Sequence, residues 1–179
     1  MVGNRDFLVG REMLDACGVT HLPDPTLLLA FGQRVLLLHG DALCLSDTEY
    51  QRYRAQVRSP TWQAAALALP LDERRRVAAR MRHASEQRNA NGELSLASTD
   101  IDPAAALDWM HRASSTVVVH GHTHRPGSTP LAPGRMRHVL SDWNLDLAGT
   151  RPRAEVLRLT RGGFARLSPA LAMQASPAS

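Results

Sequence analysis

Apolar residues along this chain alternate between runs of β-strand length and stretches with helical spacing. Residues 26–31 and 34–38 are two apolar runs joined by Gly32-Gln33, a link that predicts a β-hairpin with a type II′ turn. Residues 116–119 predict a buried strand that leads directly into a histidine-rich segment. Further strands are expected at residues 138–140, 154–159 and 164–167, and helices at residues 10–18 and 102–113. This order of elements predicts an α/β fold.

Residues 47–89 form a long stretch in which apolar positions recur at helical spacing. Pro60 and Pro70 divide it into separate helices, because proline breaks a helix interior. A loop is expected at residues 89–92, and a loose tail rich in Ala, Ser and Pro is expected beyond residue 168. On the pattern alone, an amphipathic helical pair packed on the core is favoured over a specialised insert.

Composition narrows the class of protein. The chain has 179 residues, 44% of them hydrophobic, and lacks an apolar run of about 18 residues or an apolar signal-peptide core. Two cysteines are too few for a disulfide framework, so we expect the reduced environment of the cytoplasm. The net charge is +4, and all 21 basic residues are arginine, a side chain suited to binding phosphate. With 4% aromatics there is little to stack on bases, so no nucleic acid is expected, and no obligate protein partner is predicted.

The candidate chemistry lies in residues that follow predicted strands. His122 and His124 are two residues apart directly after the buried strand at 116–119, and His39 ends the strand at 34–38. Asn4 lies in a loop-like Gly-Asn-Arg-Asp segment. Imidazole and amide ligands from separate loops, without thiolates, favour a catalytic metal site over a structural zinc. The other histidines, His21, His83, His111 and His138, are interpreted as ordinary surface or core residues.

The order of three motifs makes the chain similar to a known family. Gly3-Asn4-Arg5-Asp6, then His39-Gly40-Asp41, then Gly121-His122-Thr123-His124 resemble the calcineurin-like metallophosphoesterases. The segments Leu22-Pro23-Asp24-Pro25, Tyr50-Gln51 and Asp142-Trp143 resemble the branch that hydrolyses UDP-2,3-diacylglucosamine in lipid A biosynthesis. The resemblance runs from Gly3 to about Trp143.

The resemblance implies a fold and a domain organisation. We expect a metallophosphoesterase β-sandwich flanked by helices within residues 1–168, a helical cap inserted at about 47–90, and a flexible tail at 169–179. The family carries two metal ions, usually Mn²⁺. Asn4, His39 and His122 match ligands of one ion, and His124 matches a ligand of the other.

The resemblance also implies how substrate is bound. Arg5 and His122 are the predicted catalytic residues, with Arg5 expected to touch the substrate phosphate. The set of predicted substrate-binding residues is Asn4, Arg5, Asp47, Arg82, Ser85, Asn89 and His122. A further substrate-contacting lysine of the family has no counterpart in this chain.

Two metal-binding motifs of the family do not precede Gly3. They are an Asp-Xaa-His at the end of the first strand and a later Gly-Asp pair, which supply ligands and the carboxylate that bridges both metals. We therefore expect the N-terminal strands of the sheet to be missing and the second metal site, with His124 alone, to be incomplete. The chain is interpreted as an N-terminally truncated, weakly active or inactive form.

The function implied is hydrolysis of the pyrophosphate of UDP-2,3-diacylglucosamine to UMP and 2,3-diacylglucosamine 1-phosphate (lipid X). The expected location is the cytoplasmic surface of the inner membrane, with apolar faces of the cap holding acyl chains and its arginines meeting anionic lipid. Two alternatives are a related nucleotide phosphodiesterase and a catalytically dead lipid-binding module. An apolar cavity would favour lipid, and a shallow polar site would favour a nucleotide.

Overall fold

The computed structural model describes residues 1–90, 100–146 and 153–174, apart from the side chains of residues 85, 86 and 88–90. The helices are α1 Arg11–Ala16, α2 Thr48–Val57, α3 Pro60–Ala68, α4 Leu71–Ala90, α5 Pro103–Arg112 and α6 Pro169–Gln174, with a 3-10 turn at Asp41–Leu43. The strands are β1 Thr26–Ala30, β2 Gln33–Leu38, β3 Val117–His120, β4 Gly127–Ala132, β5 Arg135–Val139, β6 Val156–Thr160 and β7 Gly163–Leu167.

The chain divides into two compact units. The sheet unit comprises Met1, Pro23–Gly40 and Pro103–Ser179, and the helical unit comprises Val2–Leu22 and Asp41–Asp102. Residues 2–22 thus group with the helices of the cap expected at 47–90, and the predicted organisation as one domain with an inserted cap stays a prediction.

The sheet unit is built on a five-stranded mixed sheet in the order β1-β2-β3-β5-β4. β2, β3 and β5 are parallel to one another, and β1 and β4 pair antiparallel at the two edges. Helix α5 packs along β3 and buries Ala106 and Met110. This mixed sheet with flanking helices confirms the predicted α/β class.

A second layer of strands covers part of the sheet. The β6–β7 hairpin places Leu157, Leu159 and Phe164 against the buried Val35, Val117 and Val119. Alternate residues of a strand point to one face, which is why positions 117 and 119 share this core.

The turn between β1 and β2 differs from the prediction. Ala30 pairs with Gln33, so the two linking residues are Phe31 and Gly32, not Gly32-Gln33. Both have positive φ, 52° and 74°. Two left-handed residues make a type I′ turn, whose twist matches that of the strands.

Two helices of the helical unit, α2 and α3, begin at capping residues that are visible in the sequence. Asp47 is the N-cap of α2, and Ser59 is the N-cap of α3 ahead of Pro60. Side-chain oxygens at these positions accept backbone amides, and proline is favoured in the first turn. The predicted break of the stretch at Pro60 and Pro70 is observed.

Two further boundaries depart from the predictions. The loop expected from residue 89 starts later, because α4 continues through Ala90, while residues 91 and 92 lie outside the described residues. The tail expected to be loose contains α6, which contacts β6 and β7, and Arg158 donates to the Ala172 carbonyl at 2.8 Å. None of the described helices is both long and apolar enough to cross a membrane.

Candidate functional site

Two histidines meet where neighbouring parallel strands end. Leu38 of β2 lies opposite His120 of β3, so His39 and Gly121 follow at the same edge of the sheet. The Gly121 amide donates a 3.0 Å hydrogen bond to the His39 carbonyl. The rings of His39 and His122 then lie edge to face, with centroids 5.0 Å apart and an interplanar angle of 71°. The parallel pairing therefore brings together two of the predicted metal ligands.

Gly40 permits the close approach of these two loops. Its φ is 116°, and a Cβ there would lie 2.9 Å from Nδ1 of His120 and 3.4 Å from Cβ of His122. Glycine alone adopts this conformation without strain and without a side chain to displace the neighbouring ring. The His-Gly-Asp motif thus has a steric reason for its central residue.

The Gly-His-Thr-His segment has an unusual backbone. His122 and His124 have φ of 64° and 53°, the left-handed region that non-glycine residues rarely adopt. The Thr123 amide donates to the Gly121 carbonyl at 2.7 Å, which tightens the turn between them. Strained residues of this kind cluster at functional sites.

His120 is a structural member of the site that sequence reasoning left without a role. Its ring is fully buried, and Nε2 accepts a hydrogen bond from Nε of Arg137 at 2.8 Å. Because Nε2 is the acceptor, the ring hydrogen is assigned to Nδ1, which lies 2.8 Å from the Gly121 carbonyl. The only sequence feature that could have indicated this was a polar residue closing a buried run of valines.

His124 lies beside an acidic residue that the sequence did not single out as a site residue. Its Nδ1 is 3.8 Å from Oδ2 of Asp142, and Nη2 of Arg153 donates to the same oxygen at 2.6 Å. A carboxylate next to an imidazole can fix the orientation of the ring. The His124 side chain is 68% exposed, whereas the Asp142 side chain is 14% exposed. Asp142 is therefore the better-fixed partner of the two.

The described side chains near the predicted ligands do not form a complete metal site. Within the described ranges, no group of three or more His, Cys, Asp or Glu side chains is placed to hold a metal ion. His39 and His122 are in ring contact, His124 neighbours Asp142, and the fourth predicted ligand, Asn4, belongs to the helical unit. Imidazole suits Mn, Fe or Zn, but two rings alone do not enclose an ion.

The helical unit contains a cavity of about 680 Å³. Val77, Ala78 and Met81 of α4 line it together with apolar residues of the N-terminal segment. The ring of Phe7, which also lines it, packs on Trp62 with centroids 6.0 Å apart. The polar lining residues include Asn4, Arg5, Asp6, Glu49, Arg74 and Arg82. An apolar cavity with a few polar groups is the usual form of a site for a ligand with a large hydrophobic part.

The predicted substrate-binding residues are distributed unevenly around this cavity. Asn4, Arg5 and Arg82 line it. Oδ1 of Asp47 accepts the Tyr50 amide at 2.9 Å as the N-cap of α2, which gives this residue a structural role as well. Ser85 and Asn89 belong to α4, but their side chains lie outside the described part of the chain, and their predicted contacts stay predictions.

A buried ion cluster, missed by sequence reasoning, holds α2 in the helical unit. Asp41 is fully buried, and its Oδ2 accepts from the Tyr50 hydroxyl at 2.7 Å, from Nε of Arg54 at 3.0 Å and from Nη2 of Arg58 at 3.1 Å. The side-chain amide of Gln51 donates from Nε2 to the Asp41 carbonyl at 2.8 Å. A buried carboxylate surrounded by donors fixes the geometry of the helix that carries them.

The two tyrosines of α2 are kept neutral. Burial raises the pKa of Tyr50, and the negative charge of Asp41 and the hydrogen bond to it raise that pKa further. Burial also raises the pKa of Tyr53, while the positive charge of Arg5 opposes the shift. Both phenols line the cavity, 6.2 Å apart between ring centroids, as uncharged donors.

The curated proteins most similar in sequence to this chain that are described below share one name. No protein-family model matches the chain. The UDP-2,3-diacylglucosamine hydrolase of Bordetella parapertussis is 44% identical over 165 residues, which cover 90% of this chain and 63% of the relative. The protein of the same name from Escherichia coli O127:H6 is 40% identical over 165 residues, covering 90% of this chain and 68% of the relative. The chain thus spans about two thirds of the length of the curated relatives that it matches.

Proposed function

The chain belongs to the UDP-2,3-diacylglucosamine hydrolase family, and on that premise we propose that it binds this substrate and contributes to cleavage of its pyrophosphate into UMP and lipid X. The observation that carries the proposal is the apolar cavity of the helical unit, which has Asn4, Arg5 and Arg82 in its lining. A cavity of about 680 Å³ lies in the range of pockets that hold small amphipathic molecules. A nucleotide without acyl chains would leave this apolar surface unused.

Each predicted residue has a chemical task in the proposal. The Arg5 guanidinium pairs with a phosphate of the substrate, since its planar fork matches phosphate oxygens. The His122 imidazole, next to His39, stabilises charge that develops on the phosphate during cleavage. Mn²⁺ is the proposed metal, and because the described side chains do not complete a site for it, we propose weak metal binding and low activity.

Calorimetric titration tests the binding part of the proposal. The ligands are UDP-2,3-diacylglucosamine and UDP-glucose, which shares the nucleotide and pyrophosphate but has no acyl chains. We expect the diacylated ligand to bind at least about 100-fold more tightly, because burial of each CH₂ contributes about 0.8 kcal/mol before ordering costs. Arg5→Met weakens both ligands, whereas Arg11→Met, at an exposed position of α1, changes neither.

The two alternatives are separated by the same experiment. Equal affinities for the two ligands would contradict the proposed substrate and favour a related nucleotide phosphodiesterase. Tight binding of lipid X without any affinity for the UDP part would favour a catalytically dead lipid-binding module.

Peripheral binding to the cytoplasmic face of the inner membrane is also proposed. It is supported by the exposed arginines of α4, among them Arg75, Arg76 and Arg80, since each arginine near an anionic surface contributes about 1 kcal/mol. Replacement of all three by Gln is expected to weaken binding to vesicles with 30% anionic lipid by about 100-fold in sedimentation assays. A matched triple replacement of Arg11, Arg112 and Arg161, which are exposed elsewhere, keeps the same net charge and serves as the control. Equal losses in the two variants would contradict a specific membrane-facing helix.

A further inference from the structure

Helix α3 presents a small side chain, Ala66, to the cavity of the helical unit. Ala66 lines the cavity together with Leu69 at the C-cap of the helix. Trp62 and Gln63 both contact Phe7, another lining residue, with ring centroids 6.0 Å apart and a 3.2 Å hydrogen bond from Gln63 Nε2 to the Phe7 carbonyl. Residues three and four apart share one face of a helix. Ala66 therefore lies on the face of α3 that is directed toward the cavity.

The exposure of the lining residues distinguishes the mouth of the cavity from its interior end. Four charged residues of the lining are exposed to solvent, Arg5, Asp6, Glu49 and Arg82. Ala66 is the one buried residue among the described residues that line the cavity, with an exposed fraction of 9%. Side chains that bulk solvent reaches mark the mouth, so Ala66 marks the interior end.

This arrangement orients an amphipathic ligand in the cavity. Arg5 and Arg82 attract a phosphate to the mouth, because guanidinium groups pair with phosphate oxygens. Val77 and Met81 of α4 provide apolar wall between the mouth and the interior. The free end of a hydrocarbon chain then points toward Ala66.

The interior end limits the length of that chain. Each CH₂ group that enters an apolar cavity strengthens binding by about fourfold before ordering costs. The gain ends where the chain meets the wall, because protein interiors are close-packed and resist overfilling. A methyl side chain at position 66 leaves room there that a larger side chain would occupy.

From these observations we propose that Ala66 is a specificity-determining residue that sets the longest hydrocarbon chain that the cavity accepts. The proposal rests on the proposed function, because it takes the ligand to be an acylated phosphate compound. It adds that the side chain at one position of α3 selects among acyl chains of different length, and that a larger residue there favours a shorter chain.

The first test measures how affinity depends on chain length. The probes are the octanoyl, decanoyl, dodecanoyl, tetradecanoyl and hexadecanoyl forms of 1-acyl-glycerol 3-phosphate, titrated calorimetrically below their micelle concentrations. In the wild-type chain we expect the affinity to rise by up to about fourfold per added CH₂ group and to stop rising within the series. Ala66→Leu is expected to move this optimum to a probe that is shorter by about two carbons or more, with the octanoyl affinity unchanged within about twofold.

The matched control carries the same substitution on the same helix. Ala65→Leu lies at an exposed position of α3 outside the cavity lining, and we expect it to keep the optimum of the wild-type chain. Circular dichroism and thermal unfolding establish that each variant is folded.

A second test uses a substitution that adds little volume, so that it does not depend on the folding of Ala66→Leu. Ala66→Cys is prepared with Cys17→Ser, which removes the exposed native thiol, while the buried Cys44 is kept. Iodoacetamide is added, and alkylation at position 66 is followed by mass spectrometry. We expect the introduced thiol to react in the free protein, saturating tetradecanoyl probe to slow the reaction at least about tenfold, and saturating octanoyl probe to slow it by no more than about twofold. Ala65→Cys in the same background is expected to react equally with and without either probe.

Four results would overturn the proposal. They are no binding of any probe, an affinity of the wild-type chain that does not level off within the series, an optimum that a folded Ala66→Leu variant leaves unchanged, and alkylation at position 66 that the two probes slow equally. None of these measurements involves a metal or the uridine group. Failure of the proposed hydrolase function would instead appear as absence of UMP release with the optimum and its shift intact.

Discussion

At the residue scale, His120 supports the strand end that carries the Gly-His-Thr-His turn. Its buried ring accepts from Arg137 and lies against the Gly121 carbonyl, so the ring holds the segment from inside the sheet unit. Spacing in the sequence could place His120 at the end of a buried strand. It could not identify a partner 17 residues away on β5, because that contact depends on how β3 and β5 pair.

Replacement of Arg137 by Leu tests this support. The variant removes the donor to a buried nitrogen, and we expect the free energy of unfolding in urea to fall by about 1–3 kcal/mol. Arg112→Leu, which disrupts an exposed ion pair with Asp108, is expected to change it by no more than about 0.5 kcal/mol. Equal effects of the two substitutions would contradict the role assigned to Arg137.

A second prediction at the residue scale is that His138 makes the stability of the fold depend on pH. It is buried on β5, its Nδ1 lies 2.7 Å from the Ser128 hydroxyl, and its ring packs on Phe164. Burial lowers the pKa of His138, and the charge of Arg166 lowers it further. The unfolded chain then binds the proton more readily, so stability is complete above about pH 6.5 and falls as the pH drops toward the lowered pKa.

The measurement is urea unfolding of wild type and His138→Gln at pH 7.5 and pH 5.0. The substitution is expected to reduce the loss of stability between the two pH values, because glutamine does not titrate in this range. His111→Gln, at an exposed position on α5, is expected to leave that loss unchanged. An undiminished loss in His138→Gln would show that other groups cause it.

At the element scale, α2 depends on a carboxylate outside the helix. Asp41 accepts from Tyr50, Arg54 and Arg58, which recur at helical spacing on one side of α2 and just beyond its end. Asp41→Asn keeps the shape of the side chain and removes its charge. The two arginines then lack their buried counter-ion, and we expect a loss of about 3–5 kcal/mol in the free energy of unfolding.

The matched substitution for this prediction is Asp72→Asn on α4. Asp72 also pairs with an arginine, Arg75, but both side chains are mostly exposed, so we expect a change of at most about 1 kcal/mol. Urea denaturation compares the two variants directly. Similar losses would mean that the Asp41 cluster contributes no more than a surface ion pair.

The elements themselves differ in how far the sequence could predict them. Strand β3 and the breaks at Pro60 and Pro70 follow from local chemistry, since β-branched residues favour strands and proline interrupts helices. The β1–β2 turn does not, because Phe31 occupies a left-handed conformation that its residue type disfavours. Helix α6 forms where composition suggested a loose tail, and it contacts the β6–β7 hairpin.

At the scale of the whole molecule, the sequence motifs predicted the family, and the relatives confirm it at 40–44% identity. The α/β class was also predictable, because strands and helices alternate along the chain. The division into two units was not, since residues 2–22 group with helices that begin some 25 residues later in the chain. Contacts between distant segments decide such a grouping, and a local pattern does not contain them.

The central proposal is that this chain, a member of its family, cleaves the substrate only weakly, because the described residues do not complete a site for a metal ion. The most direct test is UMP release from UDP-2,3-diacylglucosamine with and without Mn²⁺, for wild type, His122→Ala and His111→Ala. We predict Mn²⁺-dependent release at least about 100-fold slower than that of the longer Bordetella parapertussis relative, lost in His122→Ala and retained in His111→Ala. Release as fast as that of the relative, or release that His122→Ala leaves unchanged, would contradict the claim.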